Sequence, residues 1–581
     1  MNLIQLANIS EIKEDEIFES HINGEAVILV KNKNSIKAYN GLCPHQGAQL
    51  VYGELKDNHI ICPKHDKHFS CETGKENKSA LCLQEYKIKI KDGNILFDES
   101  QLLEKDINEI NIPLKEIKDL PMPKGKFISG NLSDFSKENK HQIIEEWVKE
   151  VGELFKISLM GKKFVVSANP DFNAQILKER PLKFRRFSKI KEVMEEMGIY
   201  GVFSAEGNQW KQHRRITAEA LSLKNVKAYF PTIKQMTERL HKRWNNLNNN
   251  EAIDIQQEMM LYTVDITTFI AFGYDTNTLE SDGDVIQNHL KKIFPMLNKR
   301  MTAPLPLWRY YKTKKDKELD LALKGTEELI DEFIQTTKKR LDEQPELKEN
   351  PTNFLEALLV EQEKDKSFTD KDVYGNVFSM LLAGEDTTSN TISWAMYYLS
   401  QYPEVKQKIR EEADTIFKNE KLPSTSEELD ALKYTEAVSL EALRIKPTTP
   451  MLIMEPNEDV VIQNLNIPKG TTIILQNKVA QTDAHHFFDP EKFIPERWMT
   501  NGCPANVNHN PDVIHVFGGG PRYCPGKNLA IHEMKMALAM ICKNFDFDLV
   551  VDTKEIKELF AFTMYPENLK MKIKARQFAT S

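Results

Sequence analysis

Two short cysteine–histidine pairs carry the first chemistry in the chain. Cys43-Pro44-His45 is followed, after sixteen residues, by Cys62-Pro63-Lys64-His65. Each pair supplies one thiolate and one imidazole from a loop between strands. A [2Fe–2S] cluster can take the cysteines on one iron and the histidines on the other, and neutral imidazoles raise its potential over that of a four-thiolate cluster. A Cys2His2 zinc site is the alternative, although zinc fingers usually pair Cys with Cys and His with His. Gly47 and Gly74 stand where backbone must bend beside such a cluster. Near the other end, Phe517-Gly518-Gly519-Gly520-Pro521-Arg522-Tyr523-Cys524-Pro525-Gly526 precedes a helical run. This places a thiolate in a glycine-rich loop at a helix N-terminus, where backbone N–H groups and the helix dipole favour its negative charge. A phosphate-binding loop is the alternative, but the Gly-Lys-Ser/Thr ending is missing.

Three weaker patterns lie between. Ala383-Gly384-Glu385-Asp386-Thr387-Thr388 sits in the middle of a long helical pattern, where the glycine allows a local kink. Read alone, it is an ordinary polar patch. Glu441 and Arg444 are spaced i, i+3, the spacing of a minor surface ion pair. Trp210 and Arg214 are spaced i, i+4, a weak signal by itself.

The elements that must position these residues fall into two units. Residues 1–103 read as a small all-β domain: EAVILVKNKNSIKAYN and YKIKIKDGNILFD alternate in period two, and Asp92-Gly93 marks a hairpin. Residues 104–117 read as a linker. From 118 to 581 the pattern is mainly helical, with minor β-sheets. HQIIEEWVKEVGELFK and KGTEELIDEFIQTTKKRLDEQ carry apolar residues at helical spacing. Thr369 to Asp372 forms a capping-box start for a long helix that stops before Pro403. The fold class expected is therefore multidomain, a small β module followed by a large mainly-α domain. The chain has 581 residues, 40% of them hydrophobic and 28% charged, which makes it globular rather than disordered. With 78 basic and 86 acidic residues it lacks the basic excess of a general nucleic-acid binder. No apolar run is long enough for a transmembrane segment, and the amino terminus lacks a signal-peptide pattern. The expectation is a cytoplasmic protein. Seven cysteines in such a chain argue for metal ligation over a disulfide framework. Cys71 and Cys82 read as small core residues.

The first hundred residues resemble the Rieske ferredoxin family. Cys43-Pro44-His45-Gln46-Gly47-Ala48-Gln49-Leu50 and Cys62-Pro63-Lys64-His65 through Phe69 fit both of its boxes. The resemblance implies Cys43, His45, Cys62 and His65 as ligands of a Rieske [2Fe–2S] cluster. Asp66 departs from the family's usual Gly. Residues 118–581 resemble the cytochrome P450 superfamily. Phe517, Gly520, Arg522, Cys524 and Gly526 match its haem loop, and five such positions recur by chance on the order of once in several thousand chains. The resemblance implies Cys524 as the haem iron ligand, and Phe517, Arg522, Trp210 and Arg214 as contacts of haem b. It implies Asp386 and Thr387 as the proton-delivering pair, and a buried structural role for Glu441, Arg444 and the Arg497 of Pro495-Glu496-Arg497-Trp498. Met451 stands where some members carry a propionate-binding Arg, and Gln481-Thr482-Asp483 replaces a usual His-Arg-Asp stretch.

Together the two resemblances imply a haem-thiolate monooxygenase, an oxidoreductase that incorporates oxygen from O2. The cluster would pass single electrons to the haem, at a local concentration raised by the shared chain. The substrate expected is a small apolar molecule of fatty-acid type. No Gly-rich dinucleotide fingerprint follows a strand, so NAD(P)H enters through a separate ferredoxin reductase. Lys183 to Lys189, a basic stretch, is a candidate docking face for the small module. Three alternatives stay open: a Rieske non-haem oxygenase, a redox sensor or electron carrier, and a peroxide-driven haem enzyme whose cluster is only structural.

Overall fold

The computed structural model of the chain describes residues 3–14, 16–22, 25–32, 35–44, 48–63, 67–77, 81–98, 101, 113–247, 251–281, 285–303, 305–499 and 509–576. His45, His65 and Asp66 lie outside these residues, as do 102–112 and Cys503.

The small domain is built from strands β1 (Leu3–Asn8), β2 (Ile17–Ile22), β3 (Glu25–Asn32), β4 (Ser35–Asn40), β5 (Glu54–Lys56), β6 (His59–Ile61), β7 (His68–Ser70), β8 (Glu85–Tyr86), β9 (Ile88–Lys91) and β10 (Asn94–Asp98). They form three sheets, ordered β1-β10-β9, β2-β3-β4-β8 and β5-β6-β7. Asp92 and Gly93 join β9 to β10 with φ of 52° and 77°, the left-handed backbone that a tight hairpin demands. Strand β3 is apolar without interruption from Ala26 to Val30 because both of its faces are covered there. Ile28 and Val30 pack toward Cys43 and Cys62. Val27 and Leu29 pack toward Ile95 and Phe97 on the other side. The expected one-faced alternation is therefore a doubly buried strand.

The large domain contains helices α1 (Gly207–Ala220), α2 (Leu223–Ala228), α3 (Ile255–Phe272), α4 (Asp370–Gln401), α5 (Lys433–Ile445) and α6 (Lys527–Asn544), among others. One five-stranded sheet flanks them, with strands β11 (Leu154–Leu159), β12 (Lys162–Ser167), β13 (Phe184–Arg186), β14 (Met451–Pro456) and β15 (Thr472–Gln476). Its order is β11-β12-β15-β14-β13. Strands β12 and β15 run parallel, with Val165 opposite Ile473. A late hairpin pairs β16 (Lys557–Phe560) with β17 (Met564–Glu567).

One expectation is corrected here. The helical pattern HQIIEEWVKEVGELFK is helix only from Lys140 to Val151. Gly152 caps it at φ 93°, and the chain leaves as β11. Helix α4 runs for 32 residues through Gly384. Gly384 serves close packing: a Cβ there would meet Thr267 Oγ1 of α3 at 2.6 Å. The α4 cap is as expected, with Thr369 N–H donating to Asp372 Oδ2 at 2.8 Å, and Pro403 begins the next helix. Lys115–Glu116, within the stretch read as linker, pairs in parallel with Leu465–Ile467 of the large domain.

Candidate functional site

Loop geometry brings the Cys524 sulfur to the start of α6. Cys524 N–H donates to Phe517 O at 2.8 Å, closing the loop, and Gly518 and Gly520 take φ of 73° and 63°. Gly520 also admits the backbone of Leu177, whose carbonyl oxygen would lie 1.9 Å from an added Cβ. The sulfur accepts backbone N–H groups from Gly526 and Lys527. Burial raises the Cys524 pKa, and those N–H groups and Arg214 act against the rise. Phe517 is partly buried against the main core.

Trp210, Arg214 and Arg522 gather on one side of this loop. Arg522 lies over the Trp210 ring at 5.1 Å, pairs with Glu206 at 2.5 Å and donates to Ala205 O at 2.9 Å. Two residues outside the expected set join them, Arg180 and Arg186. Burial, then the neighbouring Arg522, pushes Arg186 down to about 9, with Glu206 opposing. Burial and the same crowding of guanidiniums lower Arg180 strongly. Arginine keeps its proton in proteins, so this cluster calls for anions. Nε and Nη2 of Arg180, Nε of Arg186, and Nε and Nη2 of Arg214 are buried without a hydrogen-bond partner.

Between Val373 and Met396, α4 is buried except at Ala383, Gly384, Asp386 and Thr387. Thr387 Oγ1 donates to Ala383 O at 2.8 Å. Burial raises the Asp386 carboxyl to about 6, against a lowering hydrogen bond from Thr563. Asn390 Nδ2 donates to Thr563 Oγ1 at 3.1 Å, which leaves the hydroxyl hydrogen for Asp386. Thr563 turns the β16–β17 hairpin, so its meeting with Asp386 has no local signature. Phe203 and Phe562 approach to 6.0 Å nearby, and Arg186 stacks on Phe203 at 3.8 Å.

Glu441, Arg444 and Arg497 have fully buried side chains. Glu441 accepts twice from Arg444 at 2.9 Å, and from Arg497 Nε at 3.1 Å, Trp498 Nε1 at 3.0 Å and Ile494 N–H at 3.0 Å. The i, i+3 pair is thus the centre of a closed network.

In the small domain, Cys43 and Cys62 are buried in one cluster and are not disulfide-bonded. Cys43 N–H donates to Ala48 O at 2.8 Å and Cys62 N–H to Lys67 O at 2.9 Å, each closing a tight loop. Cys71 is buried as expected, whereas Cys82 is exposed rather than a core residue. The cluster also contains a residue of the large domain, Tyr523. Arg214 donates to Tyr523 O at 2.9 Å and stacks over the rings of Tyr523 and Tyr52, at 4.6 and 5.7 Å. Glu19 faces Lys211, and burial raises its carboxyl to about 7. The docking face is therefore α1, α2 and the thiolate loop. Lys183 to Lys189 is not part of it: Phe184–Arg186 is the edge strand β13, Arg185 pairs with Glu455, and Lys189 bonds to Ala303 O.

These two sites, a thiolate loop before a helix and a paired-cysteine β module, agree with the comparisons. Residues 120–573 match the Cytochrome P450 family model and residues 2–86 match the Rieske [2Fe-2S] domain. The chain belongs to the cytochrome P450 family and carries a Rieske domain fused to its amino-terminal side. It is a haem-thiolate monooxygenase with an iron–sulfur electron-transfer domain. Its relatives include Protein LUTEIN DEFICIENT 5, chloroplastic, of Arabidopsis thaliana, 26% identical over 73% of this chain and 72% of that protein. Tabersonine 16-hydroxylase 1 of Catharanthus roseus is 27% identical over 76% of this chain and 88% of that protein. The Bifunctional cytochrome P450/NADPH–P450 reductase 2 of Bacillus subtilis is 27% identical over 80% of this chain, which covers 43% of the Bacillus protein.

The residues fit both groups. Arg180, Arg186 and Arg522 share the carboxylate of Glu206, and with Arg214 they present buried N–H groups that would suit haem propionates. Two buried cysteines of one cluster, not joined in a disulfide, suit one iron of a Rieske cluster. No helix among the described residues is long and apolar enough to cross a membrane.

Proposed function

We propose that the chain is a donor and an oxygenase in one: its Rieske module, ligated by Cys43, His45, Cys62 and His65, delivers single electrons to a haem b held by Cys524. A thiolate-ligated haem supplies dioxygen activation and O–O cleavage when bound. Trp210, Arg214 and Arg522, with Arg180 and Arg186, hold the propionates, and Phe517 shields the sulfur from water. Asp386 and Thr387 would hold and pass protons for that chemistry. Asp386 sits near its own midpoint at neutral pH, which suits it to take up a proton and release it. Thr387, now donating to Ala383 O, exchanges that bond to point its hydroxyl at dioxygen.

The seating of Tyr523 in the same apolar cluster as Cys43 and Cys62 supports this reading most directly, because it sets the small module against the thiolate loop. The domain limits proposed are 1–103 and 118–581. Phe203 and Phe562 favour a small apolar substrate, in line with a fatty-acid-like molecule, hydroxylated by this site. A separate NAD(P)H-dependent ferredoxin reductase loads the cluster. The Bacillus relative is named for a reductase on its own chain, whereas this chain carries a Rieske module. Among the described residues no cysteine is in a disulfide, in keeping with the proposed cytoplasmic enzyme. The test is Cys43→Ala in the full chain. Reductase-supported turnover should vanish while the haem absorbance spectrum is kept, and surviving turnover would remove the module from the donor role.

A further inference from the structure

We propose that the ring of Tyr523 is the bridge by which an electron crosses between the two domains, with Arg214 as its bracket. The proposal rests on the donor reading above and assigns that reading a residue.

Three observations carry it. Tyr523 directly precedes Cys524, and both are pinned by the loop: Tyr523 N–H donates to Gly520 O at 3.2 Å and Cys524 N–H to Phe517 O at 2.8 Å. Its side chain, 7% exposed, nonetheless belongs to the small domain's apolar cluster, with Leu50, Cys43 and Cys62. The crossing is therefore filled with packed atoms, where a void or water layer would interrupt contact. Finally, one guanidinium, Arg214, spans two tyrosines from the two domains, Tyr523 at 4.6 Å and Tyr52 at 5.7 Å. Facing charges set the register around this contact: Glu19 opposite Lys211, and Glu54 near Lys227.

The step moves one electron and no atoms. The reduced cluster loses the electron and returns to its oxidised form, and ferric haem gains it and becomes ferrous. The electron reaches the cluster from an external one-electron reductant. Tyr523 is a positioning residue here and is left unchanged.

The experiment uses the full chain loaded with both groups, as wild type, Tyr523→Phe and Tyr523→Leu. A laser flash on deazaflavin supplies one electron to the cluster under carbon monoxide, and the rise of the shifted Soret band reports haem reduction. Separately, the spin relaxation of the reduced cluster, quickened by nearby ferric haem, reports docking without any turnover. Tyr523→Leu should slow haem reduction by about tenfold or more, because the void left by the ring interrupts the packed contact, with relaxation unchanged, and Tyr523→Phe should rescue the rate. An unchanged rate in the Leu variant, or a Phe variant as slow as Leu, overturns the bridge. Loss of fast relaxation together with the rate makes Tyr523 a clamp and also overturns it. If the wild-type cluster never reduces the haem, the donor reading itself falls.

Discussion

Tyr523 and Cys524 are consecutive residues whose side chains serve different domains. Tyr523 is buried among the residues around Cys43 and Cys62, while the Cys524 sulfur accepts N–H groups at the start of α6. A single peptide unit thus separates the small domain's core from the haem ligand. Partner domains are usually joined by a broad, adjustable contact. Here the thiolate loop is itself part of the contact, so movement of the small domain is felt at the sulfur.

Asp386 should govern the pH dependence of oxygen chemistry. Its midpoint near 6 reflects burial, opposed by the Thr563 hydrogen bond to the charged form. Removing that bond in Thr563→Val takes away a lowering influence, so the midpoint must rise. Coupling of NAD(P)H use to product, measured across pH 5 to 8, should show the midpoint moving upward. Asp386→Asn should lower product formation by about 10²–10⁴-fold at every pH.

Glu441 neutralises two buried guanidiniums, and the network closes only with a carboxylate. Glu441→Gln leaves those cations uncompensated, a loss on the order of 3–5 kcal/mol. Urea unfolding of any soluble fraction, with the haem-to-protein ratio, checks this. A stable, fully haem-loaded variant would contradict the structural role.

Glu558 is the acid counterpart on the hairpin. It contacts His141 at 2.6 Å, Lys478 at 3.0 Å and Lys446. Burial pushes its carboxyl up, but the His141 hydrogen bond, Lys478 and Lys446 outweigh this and hold it far below the usual range. A depressed carboxyl adds stability above its unfolded pKa, near 4.5, and loses it as pH falls. Glu558→Gln should lower the thermal midpoint at pH 7, and the gap to wild type should shrink on acidification below pH 4.5.

Glu533 behaves in the opposite sense. Burial pushes it up to about 8, against a hydrogen bond with Thr388. Below pH 4.5 both folded and unfolded chains hold the proton and nothing is lost. As pH rises toward 8 the unfolded chain ionises while the folded one does not, and stability falls. Glu533→Gln should therefore be more stable than wild type by about 3 kcal/mol at pH 7, with the gain fading near pH 4. Denaturant titrations at the two pH values measure it.

What the sequence determined by itself is whatever sits within a few residues of its partners. Cys524 and its glycines, the Thr369 cap and the Asp92-Gly93 hairpin each carry their geometry in local spacing, because a turn or cap is decided by neighbouring backbone. Tertiary structure decided the rest. Arg180 and Arg186 meet Arg522 across more than 300 residues, Thr563 meets Asp386 from a hairpin 177 residues away, and Tyr523 enters a core whose other members end at Leu83. Burial turned Glu441 and Arg444 from a surface pair into a network centre, and packing set Gly384 against Thr267 of α3. None of these has a periodicity to read, since desolvation and long-range packing depend on which surfaces the folded chain brings together.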